Sequence, residues 1–418
     1  MLVFKFGGAS VKDADAIKNL HKIVKSFPEK LVIVISALGK TTNALEEILK
    51  ISYHNEDNGT EHLRKLKQHH LNIAAELISD KSNKLFEKLE NEFERLNHIL
   101  FNKEFDLNPD LKYDQVVSFG EIFSTLIVSE YLNLNAIKNS WIDIRDVFVT
   151  DDTYREAKIH FELTRKVVQQ KFSFENTEVY LTQGFIGRSK NGFVTTLGRE
   201  GSDYTAAVLA NLLDAEKLVV WKDVEGVLNA DPQYFGNTQK LDELSYQEAV
   251  ELAYFGAKVI HPKTLKPLHN KNINLYVKSF LNPEKEGTVI KCIKQYNQDL
   301  PIYIVKKNQV LISIFPKDLS FVIEDELSTI FRYLSEQRIK VNLIQNSAIS
   351  ISFCVDNTNH KVTQLIEKLN EDYKVLYNDQ LELLTIRHYT EEAIHEVTKG
   401  RKVYIEQRSR TTAHFVIR

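Results

Sequence analysis

The stretch TTLGREGSDYTAA, residues 195–207, decides the fold of this chain. It lies between a strand-like run, EVYLTQGFI at residues 178–186, and a helical pattern of apolar residues. Ser202 and Asp203 are residue types that cap helix N-termini, and they stand just before that pattern. The stretch therefore predicts a turn from a strand into a helix, with glycines that allow other backbone segments to come close.

A helix entered in this way is a candidate anion site. Its first N–H groups have no partner within the helix, and the helix dipole places positive charge at that end. Arg199 adds a forked cation that suits a carboxylate or a phosphate. Taken alone, the stretch favours a capped turn with a purely structural role, because such turns are common. The rest of the chain changes that balance.

The composition is typical of a globular protein with more than one domain. A chain of 418 residues is too long for one ordinary core, and 43% hydrophobic with 27% charged residues is typical of water-soluble proteins. The net charge of −3 provides no basic field for nucleic acid or a membrane surface. Two cysteines argue against a disulfide framework, and the first residues form a strand pattern rather than a signal peptide. We therefore expect a cytoplasmic protein.

Two apolar strands near the N-terminus end in polar turns. Residues 2–10, LVFKFGGAS, read as a buried strand, a glycine turn and the start of a helix, as at the start of an α/β fold. Residues 31–43, LVIVISALGKTTN, read as a second strand followed by hydroxyl and amide side chains, and α/β proteins bind ligands at such strand ends. Lys5 lies within the first strand, where its ammonium group needs a partner, either a core carboxylate or a phosphate.

An acidic residue interrupts a long apolar helical pattern. The pattern spans residues 116–134, and Glu121 lies near its start. A buried carboxylate requires a cationic partner. That partner is either the ammonium group of a ligand or a basic side chain of the protein, and the sequence does not decide between them. The polar region before it, residues 61–107, predicts a peripheral pair of helices. Within that region, His69 and His70 lack metal-ligand spacing and are interpreted as surface residues.

A third strand end follows the central helix. KLVVW at residues 217–221 predicts a strand that leads into a turn rich in Asp, Gly and Pro. Further on, FGAKVIHP at residues 255–262 places Lys258 after a glycine, where its side chain can reach phosphates. His261 precedes a proline and is interpreted as structural.

Five segments, taken in order, resemble the aspartate kinases of the amino-acid-kinase superfamily. They are KFGGAS, SALGKTTN, SFGEIFST, TTLGREGSDYTAA, and WKDVEGVLNADP with FGAKVIHP, and the resemblance covers residues 1–295. It implies a three-layer α/β sandwich around a largely parallel eight-stranded sheet. It also implies phosphorylation of L-aspartate by ATP to 4-phospho-L-aspartate, the first step of the lysine, threonine and methionine pathway. The transfer is expected to be direct and in line, without a covalent enzyme intermediate.

The resemblance implies roles for individual residues. Lys5 is expected to contact the transferring phosphoryl group, and Asp203 to orient Lys5. The residues expected to hold aspartate are Thr42, Glu121, Arg199 and Ser202. The residues expected to lie by the nucleotide are Lys5, Gly7, Gly8, Ser10, Lys222, Asp223, Lys258 and Val259. Mg²⁺ is expected to be carried on the ATP phosphates, without protein ligands of its own.

Four positions depart from the family's pattern. Glu200 replaces a usual glycine and adds negative charge beside the anion site. Lys222 stands for a usual Thr or Ser, Leu228 for a usual aromatic residue, and Gln233 for a usual Arg. The last three leave the adenine contacts open, whereas the transfer residues all match.

The remainder of the chain reads as β-α-β-β and then again in shorter form, and it resembles a pair of ferredoxin-like ACT domains. We expect a kinase domain at residues 1–295, a first ACT-like domain at 301–377 and a second, shortened one at 378–418. Because ACT sheets usually pair across chains in this family, a homodimer is expected.

Two other functions remain open. One is a superfamily kinase that acts on glutamate, N-acetylglutamate or a nucleotide. The other is a catalytically silent amino-acid sensor that keeps the ACT pair. The presence of Lys5, Asp203, Glu121 and Arg199 argues against the sensor, because a silent protein has no reason to keep all four.

The first ACT-like domain departs from lysine-sensitive relatives. Its turn at residues 320–325 has no glycine, and Asn342 stands where those relatives carry an acid suited to the lysine ε-ammonium, although Ser347 is retained. We therefore expect feedback by lysine to be weak or absent, or feedback to be exerted by another amino acid such as threonine.

Overall fold

The computed structural model describes residues 1–54, 56–102, 108–257, 260–293, 300–318, 321 and 324–418. The chain divides into two compact units. The first comprises residues 1–227, 240–250 and 260–294, and the second comprises residues 228–239, 251–259 and 295–418. Among the described residues, none of the helices has the length and apolar character that crossing a membrane requires.

The first unit begins with alternating strands and helices, and four helices in succession, α2 to α5, separate β2 from β3. The helices are α1 (Ala14–Lys25), α2 (Thr41–Ser52), α3 (Glu56–Leu77), α4 (Lys84–Phe101), α5 (Pro109–Leu134), α6 (Phe161–Lys171), α7 (Gly201–Leu212), α8 (Tyr246–Phe255), α9 (Pro262–His269), α10 (Glu324–Glu336), α11 (Asn359–Asp372) and α12 (Glu391–Thr398). The strands are β1 (Leu2–Phe6), β2 (Leu31–Ile35), β3 (Ser140–Ile142), β4 (Val149–Thr150), β5 (Val179–Gln183), β6 (Ile186–Ser189), β7 (Val194–Thr196), β8 (Lys217–Lys222), β9 (Val227–Leu228), β10 (Lys240–Leu241), β11 (Glu243–Ser245), β12 (Asn274–Ser279), β13 (Thr288–Lys291), β14 (Ile302–Pro316), β15 (Val341–Ser347), β16 (Ser350–Asp356), β17 (Tyr373–Arg387), β18 (Val403–Arg408) and β19 (Thr412–Ile417).

The first unit is organised by an eight-stranded sheet in the order β11-β13-β12-β8-β1-β2-β5-β3. Every neighbouring pair runs parallel except β12 and β13. The strands β1 and β2 are buried along their whole length, as expected for a parallel sheet covered on both faces. The predicted fold class, a mainly parallel α/β sheet followed by ACT-type domains, is confirmed.

An aromatic cluster fills the core beside the central strands. Phe6 stacks on Trp221 with ring centroids 6.0 Å apart, and Phe4 meets Phe27 edge to face at 4.9 Å. Such pairs add stability beyond their buried area. Lys5 lies between Phe4 and Phe6 in β1, in register with Val34 of β2 and Val220 of β8. The apolar surroundings therefore restrict where its side chain can find a partner.

The helix that carries Glu121 begins earlier than its apolar pattern suggests. It starts at Pro109, and the side chain of Asn108 caps it by accepting the N–H of Asp110. Glu121 consequently lies in the middle of α5 rather than near its start. The apolar pattern missed the first two turns because Pro109–Gln115 contains mostly polar residues.

The start of α7 also differs from the prediction. Ser202 and Asp203 lie in the first turn of the helix and do not cap it. Glu200 occupies the position before the helix, in the left-handed conformation with φ of +53°. Because Ser202 and Asp203 are not used to cap the helix, their side chains are free to point elsewhere.

The predicted peripheral helices, α3 and α4, are present, but His70 is not a surface residue. Its side chain is completely buried, and Nδ1 lies 2.8 Å from the carbonyl oxygen of Leu66. Its Nε2 lies 3.3 Å from the hydroxyl of Thr41. Burial lowers the pKa of His70 to about 4, so the ring is neutral at physiological pH. The interpretation was wrong because helical spacing alone does not show which face another helix covers.

The second unit contains a six-stranded sheet in the order β15-β16-β14-β17-β19-β18. Two strands of 15 residues each, β14 and β17, run antiparallel along their whole length, with irregular register between Lys306 and Leu311. One end of this strand pair packs with α10 and α11, and the other packs with α12. The predicted division of the kinase and ACT-like domains stays a prediction. The boundary that it places between residues 377 and 378 lies within β17.

Asn342, the position predicted to bear on feedback, belongs to a buried polar network. Its amide nitrogen donates to Gln309 Oε1 at 2.8 Å and to Asp356 Oδ1 at 2.9 Å. Its amide oxygen accepts the ammonium of Lys306 at 2.9 Å. The side chain is therefore occupied by partners within the protein. Of the turn at residues 320–325, Ser320, Val322 and Ile323 lie outside the described residues.

Candidate active site

A cavity of about 600 Å³ lies at the carboxyl ends of β1, β2 and β8. Because these strands are parallel neighbours, the turns that follow them meet at one edge of the sheet. The first turn of α7 and the middle of α5 complete the wall. The predicted site residues that line it are Lys5, Gly7, Gly8, Ser10, Thr42, Glu121, Arg199, Ser202, Asp203, Lys222 and Asp223. Lys258 and Val259 lie outside the described residues.

Lys5 and Asp203 form an ion pair in the cavity wall. The ammonium nitrogen lies 2.6 Å from Oδ1 of the carboxylate, and both side chains are buried. Burial alone would raise the pKa of Asp203, but attraction to Lys5 and Lys222 outweighs it and holds the pKa below its ordinary value. The carboxylate is therefore ionised at neutral pH and fixes the direction of the Lys5 ammonium.

The glycine turn after β1 packs against the turn after β2. A side chain at Gly8 would place its Cβ 2.7 Å from the carbonyl oxygen of Gly39 and 2.9 Å from that of Ala37. These atoms are backbone and cannot move aside, so the position requires glycine. The Gly39 N–H in turn donates to the Gly8 carbonyl at 3.0 Å. The absence of a side chain therefore lets the two turns pack together, and residues 7–10 line the cavity at the start of a short helical turn, a position that suits a phosphate group.

Glu121 is a second buried carboxyl group in the cavity wall. Its side chain is 3% exposed. Oε1 accepts the backbone N–H of Ala37 at 2.9 Å, and Oε2 accepts the hydroxyl of Ser202 at 3.5 Å. Burial raises the pKa of Glu121 to about 8. Among the described residues, no basic side chain forms an ion pair with it, so the alternative interpretation of an internal salt bridge finds no partner there. This arrangement suits a cation supplied by a ligand.

Comparison with known proteins agrees with this geometry. The model of the amino acid kinase family matches residues 1–279. Aspartokinase 2, chloroplastic, of Arabidopsis thaliana is 34% identical over 380 residues, which are 88% of this chain and 69% of the relative. Lysine-sensitive aspartokinase 3 of Escherichia coli is 33% identical over 360 residues, 86% of this chain and 79% of the relative. The chain belongs to the aspartokinases of the amino acid kinase family.

A solved aspartokinase structure extends the likeness to the whole chain. Escherichia coli aspartokinase III in complex with aspartate and ADP superimposes with a TM-score of 0.85 at 28% identity, covering 100% of this chain and 96% of that chain. The same enzyme in complex with lysine and aspartate gives a TM-score of 0.83 at 29% identity, covering 100% and 95%. The resemblance found in the sequence is thus confirmed at the level of the family and of the fold.

The remaining predicted residues of this aspartokinase differ in exposure. Arg199 and Asp223 are exposed at the cavity, whereas Thr42 and Lys222 are partly buried. Thr42 lies in the first turn of α2, and Lys222 is the last residue of β8. The buried polar groups among the predicted residues are therefore Lys5, Ser10, Glu121, Ser202 and Asp203, and the exposed residues of the cavity supply further charge.

The sequence analysis missed one buried acid that shapes this aspartokinase site. Asp114 is fully buried, and its carboxylate accepts the N–H of Thr196 at 2.8 Å, the hydroxyl of Thr196 at 2.7 Å and the N–H of Arg155 at 3.0 Å. Thr196 and Arg155 line the cavity. Burial raises the pKa of Asp114 to about 6 against these hydrogen bonds. Asp114 precedes Glu121 by two helical turns in α5, a spacing that places both on one face and was the available signal.

No candidate metal centre is present in the part of the chain that the structure describes. Within it, no group of three or more His, Cys, Asp or Glu side chains could hold a metal ion. The polar groups of the cavity instead include the cations Lys5, Arg199 and Lys222, which suit anionic ligands.

Proposed function

We propose that this aspartokinase transfers the γ-phosphoryl group of ATP to the β-carboxylate of L-aspartate, giving 4-phospho-L-aspartate and ADP. The observation that supports the proposal is the presence of a buried ammonium group and a buried carboxyl group in one cavity. The Lys5–Asp203 ion pair supplies a fixed ammonium for phosphate oxygens. The buried Glu121 carboxyl, which forms no ion pair with a basic side chain among the described residues, supplies a place for the substrate's ammonium group.

The amino acid is held at both of its charged ends. We propose that Glu121 accepts the α-ammonium group and that Arg199 pairs with the α-carboxylate through its two-pronged guanidinium. Thr42 and Ser202 add hydroxyl groups from the first turns of α2 and α7. Binding an ammonium would favour the ionised form of Glu121, so substrate binding and deprotonation of this residue are linked.

We propose that the phosphates are held beside the glycine turn after β1. In this proposal the backbone of Gly7, Gly8 and Ser10 surrounds them, and Lys5 neutralises charge on the group being transferred. Asp203 keeps Lys5 directed at that group. Lys222 and Asp223, with Lys258 and Val259, lie by the nucleotide. Mg²⁺ carried on the phosphates would supply further charge neutralisation, and the cationic, glycine-lined cavity fits such a polyphosphate.

The reaction needs positioning more than proton transfer. The β-carboxylate has an ordinary pKa of about 3.9 and is already ionised at neutral pH, so no general base is required. One of its oxygens attacks the γ-phosphorus as the bond to the bridging oxygen breaks, and ADP leaves with that electron pair. The transfer is therefore direct and in line, and no residue of the protein is phosphorylated.

Trapping of the acyl phosphate tests the proposal. Hydroxylamine converts an acyl phosphate into a hydroxamate that is measured by its colour with iron(III). With ATP and Mg²⁺, we expect hydroxamate from L-aspartate and far less from glutamate or N-acetylglutamate. Preferential product from either of those would identify a kinase of another acyl substrate. Aspartate binding without hydroxamate from any substrate would identify a silent sensor. The same reaction without ATP is the control.

The finer assignments belong to the same proposal. We infer that the enzyme catalyses the first step of lysine, threonine and methionine synthesis and acts in the cytoplasm. We also infer a homodimer formed through the ACT-like part, because β15 lies at one end of its sheet and apolar side chains of β15, of the turn after it and of β17 are exposed. They include Ile344, Ile349, Leu376 and Tyr377. Light scattering of the purified protein tests the dimer, and a monomer at all concentrations would contradict it.

A further inference from the structure

Asp114 of α5 holds two segments of the cavity wall at once. Its side chain is fully buried, and its two oxygens accept hydrogen bonds from three donors. Two of the donors, the N–H and the hydroxyl of Thr196, lie at the end of β7, and the third is the N–H of Arg155. Both oxygens of the carboxylate are needed for this arrangement, so a side chain with a single oxygen acceptor cannot reproduce it.

The backbone at Arg155 depends on this contact. Its φ is +67°, in the left-handed region that a residue with a Cβ adopts only at a cost. Asp114 accepts the Arg155 N–H at 3.0 Å and so helps to hold the chain in that conformation. Strained backbone of this kind concentrates at functional sites, where the surrounding contacts maintain it. Here the strained residue lines the cavity.

The two segments that Asp114 holds also pack against each other. The Ala157 N–H donates to the carbonyl oxygen of Thr196 at 2.9 Å. A Cβ at Gly198 would lie 3.1 Å from the carbonyl oxygen of Arg155, so a side chain there would require the neighbouring backbone to move. A shift of Thr196 or of Arg155 is therefore passed on to the turn that follows Thr196.

That turn carries Arg199, three residues after Thr196. Its backbone is anchored again at Leu197, whose N–H donates to the carbonyl oxygen of Phe185 at 2.8 Å. The Arg199 guanidinium, by contrast, forms no hydrogen bond or ion pair with the residues that the structure describes. The backbone of the turn is therefore what places Arg199 at the cavity.

We propose that Asp114 is a positioning residue that sets the affinity for aspartate through Arg199. The inference rests on the proposed function, in which Arg199 pairs with the α-carboxylate of the substrate. Asp114 itself does not line the cavity. It fixes Thr196, and the turn that begins there fixes Arg199. Because two-pronged pairing depends on the orientation of the guanidinium as well as on its charge, a turn that is free to shift weakens the binding of aspartate.

A double-mutant cycle tests whether Asp114 acts through Arg199. Asp114→Asn keeps the size of the side chain but replaces one acceptor oxygen by a donor, so it cannot accept all three hydrogen bonds. Arg199→Ala removes the guanidinium. Steady-state hydroxamate assays of the native chain, the two single variants and the double variant give kcat, the ATP KM and kcat/KM for aspartate. Asp143→Asn is the control for lost stability, because it breaks an ion pair with Arg145 in the same compact unit, and neither residue lines the cavity.

We expect Asp114→Asn to lower kcat/KM for aspartate by about tenfold, the scale of one charge-assisted hydrogen bond, and to change the ATP KM by less than about twofold. In the Arg199→Ala background the same substitution should have little further effect, because the group that it positions is gone. Urea unfolding should show reduced stability for both Asp114→Asn and Asp143→Asn. Only Asp114→Asn should lose kcat/KM for aspartate.

Losses that multiply in the double variant would overturn the inference, since Asp114 would then act independently of Arg199. So would an equal loss in Asp143→Asn, because general destabilisation would be the cause. If Asp114→Asn does not fold, Thr196→Val takes its place in the cycle, since it removes only the hydroxyl that donates to Asp114. A native chain that forms hydroxamate from aspartate but gives multiplying losses overturns the inference alone, whereas one that forms none overturns the proposed function with it.

Discussion

Replacing Glu121 by glutamine is expected to stabilise the ligand-free protein while weakening its binding of aspartate. The carboxyl group is 3% exposed, and burial raises its pKa from 4.5 to about 8. Glutamine has nearly the same shape and keeps an oxygen acceptor for the Ala37 N–H, but it cannot ionise. The substitution therefore removes the free-energy cost of holding an acid away from water.

The size of the effect follows from proton linkage. Below pH 4.5 the carboxyl is protonated in the folded and the unfolded protein, so native and variant side chains contribute alike. As the pH rises towards 8, the unfolded carboxyl ionises and the folded one does not. The native protein then loses stability relative to the variant by about 1.4 kcal/mol per pH unit. The expected advantage of the variant is roughly 3 kcal/mol at pH 7 and at most roughly 5 kcal/mol above pH 8.

Urea unfolding at pH 5, 7 and 8.5 measures the difference. Glu130→Gln is a matched control, because Glu130 lies on the same helix and bonds to Asn83 away from the cavity. We expect the stability of Glu121→Gln relative to the native chain to grow with pH and that of the control to stay flat. A pH-independent difference, or a glutamine variant that is less stable at pH 8.5, would refute the reasoning.

The same substitution changes substrate binding in the opposite direction. The native aspartate KM is expected to fall as the pH rises from 6 to 8, because the substrate ammonium requires the ionised carboxylate. Glu121→Gln should lose this slope and raise the aspartate KM more than the ATP KM. Equal increases in the two constants would assign the loss to folding or to the nucleotide side of the cavity.

Three further predictions concern the phosphate side, the substrate carboxylate and feedback. Lys5→Met should lower kcat by about 10²–10³-fold, the scale for losing one charge contact in the transition state, with little change in the aspartate KM. Steady-state rates within a few-fold of the native rate would contradict the role assigned to Lys5. Arg199→Lys should raise the aspartate KM more than the ATP KM, because lysine cannot reproduce the two-pronged pairing, and unchanged constants would contradict that pairing. Sub-millimolar lysine should not inhibit strongly, since the Asn342 side chain has no charge and its oxygen already accepts the Lys306 ammonium. Initial rates with lysine and threonine, separately and together, measure this, and strong inhibition by lysine alone would contradict it.

The parallel sheet could be predicted because its strands are unusually uniform. LVIVI is apolar along its whole length and LVFKF is apolar except for Lys5, a pattern typical of strands that are buried on both faces. Their carboxyl ends lie at one edge of any parallel sheet, so the position of the cavity followed directly. The ion pair between Lys5 and Asp203 of the GREGSD turn depends on the order of the strands in the sheet. The pattern of apolar and polar residues within one segment does not reveal that order. That pairing came from the family resemblance.

Features that depend on packing between helices could not be predicted. His70 looks like one of two exposed histidines, and its burial follows from how α3 lies against Thr41 and Phe123. Asp114 lies in a polar stretch of the sequence, and its hydrogen-bond partner Thr196 is 82 positions further along the chain. The left-handed turn at Glu200 was hidden for a different reason. The family's pattern has a glycine at this position, and glycine adopts the left-handed conformation easily. The replacement by Glu200 is explained by its contact with the His261 N–H, which the sequence does not show.

The sheet order has a consequence for synthesis of the chain. Strand β1, which precedes the other strands of this sheet along the chain, pairs with β2 on one side and with β8 on the other. About 180 residues separate β2 from β8, which at roughly 5–20 residues per second leaves one edge of β1 without a neighbour for on the order of 10–40 s. An apolar strand with a free edge invites pairing with other nascent chains, and a lysine within such a strand discourages it. A fragment that ends before residue 217 keeps that edge open permanently and is expected to aggregate.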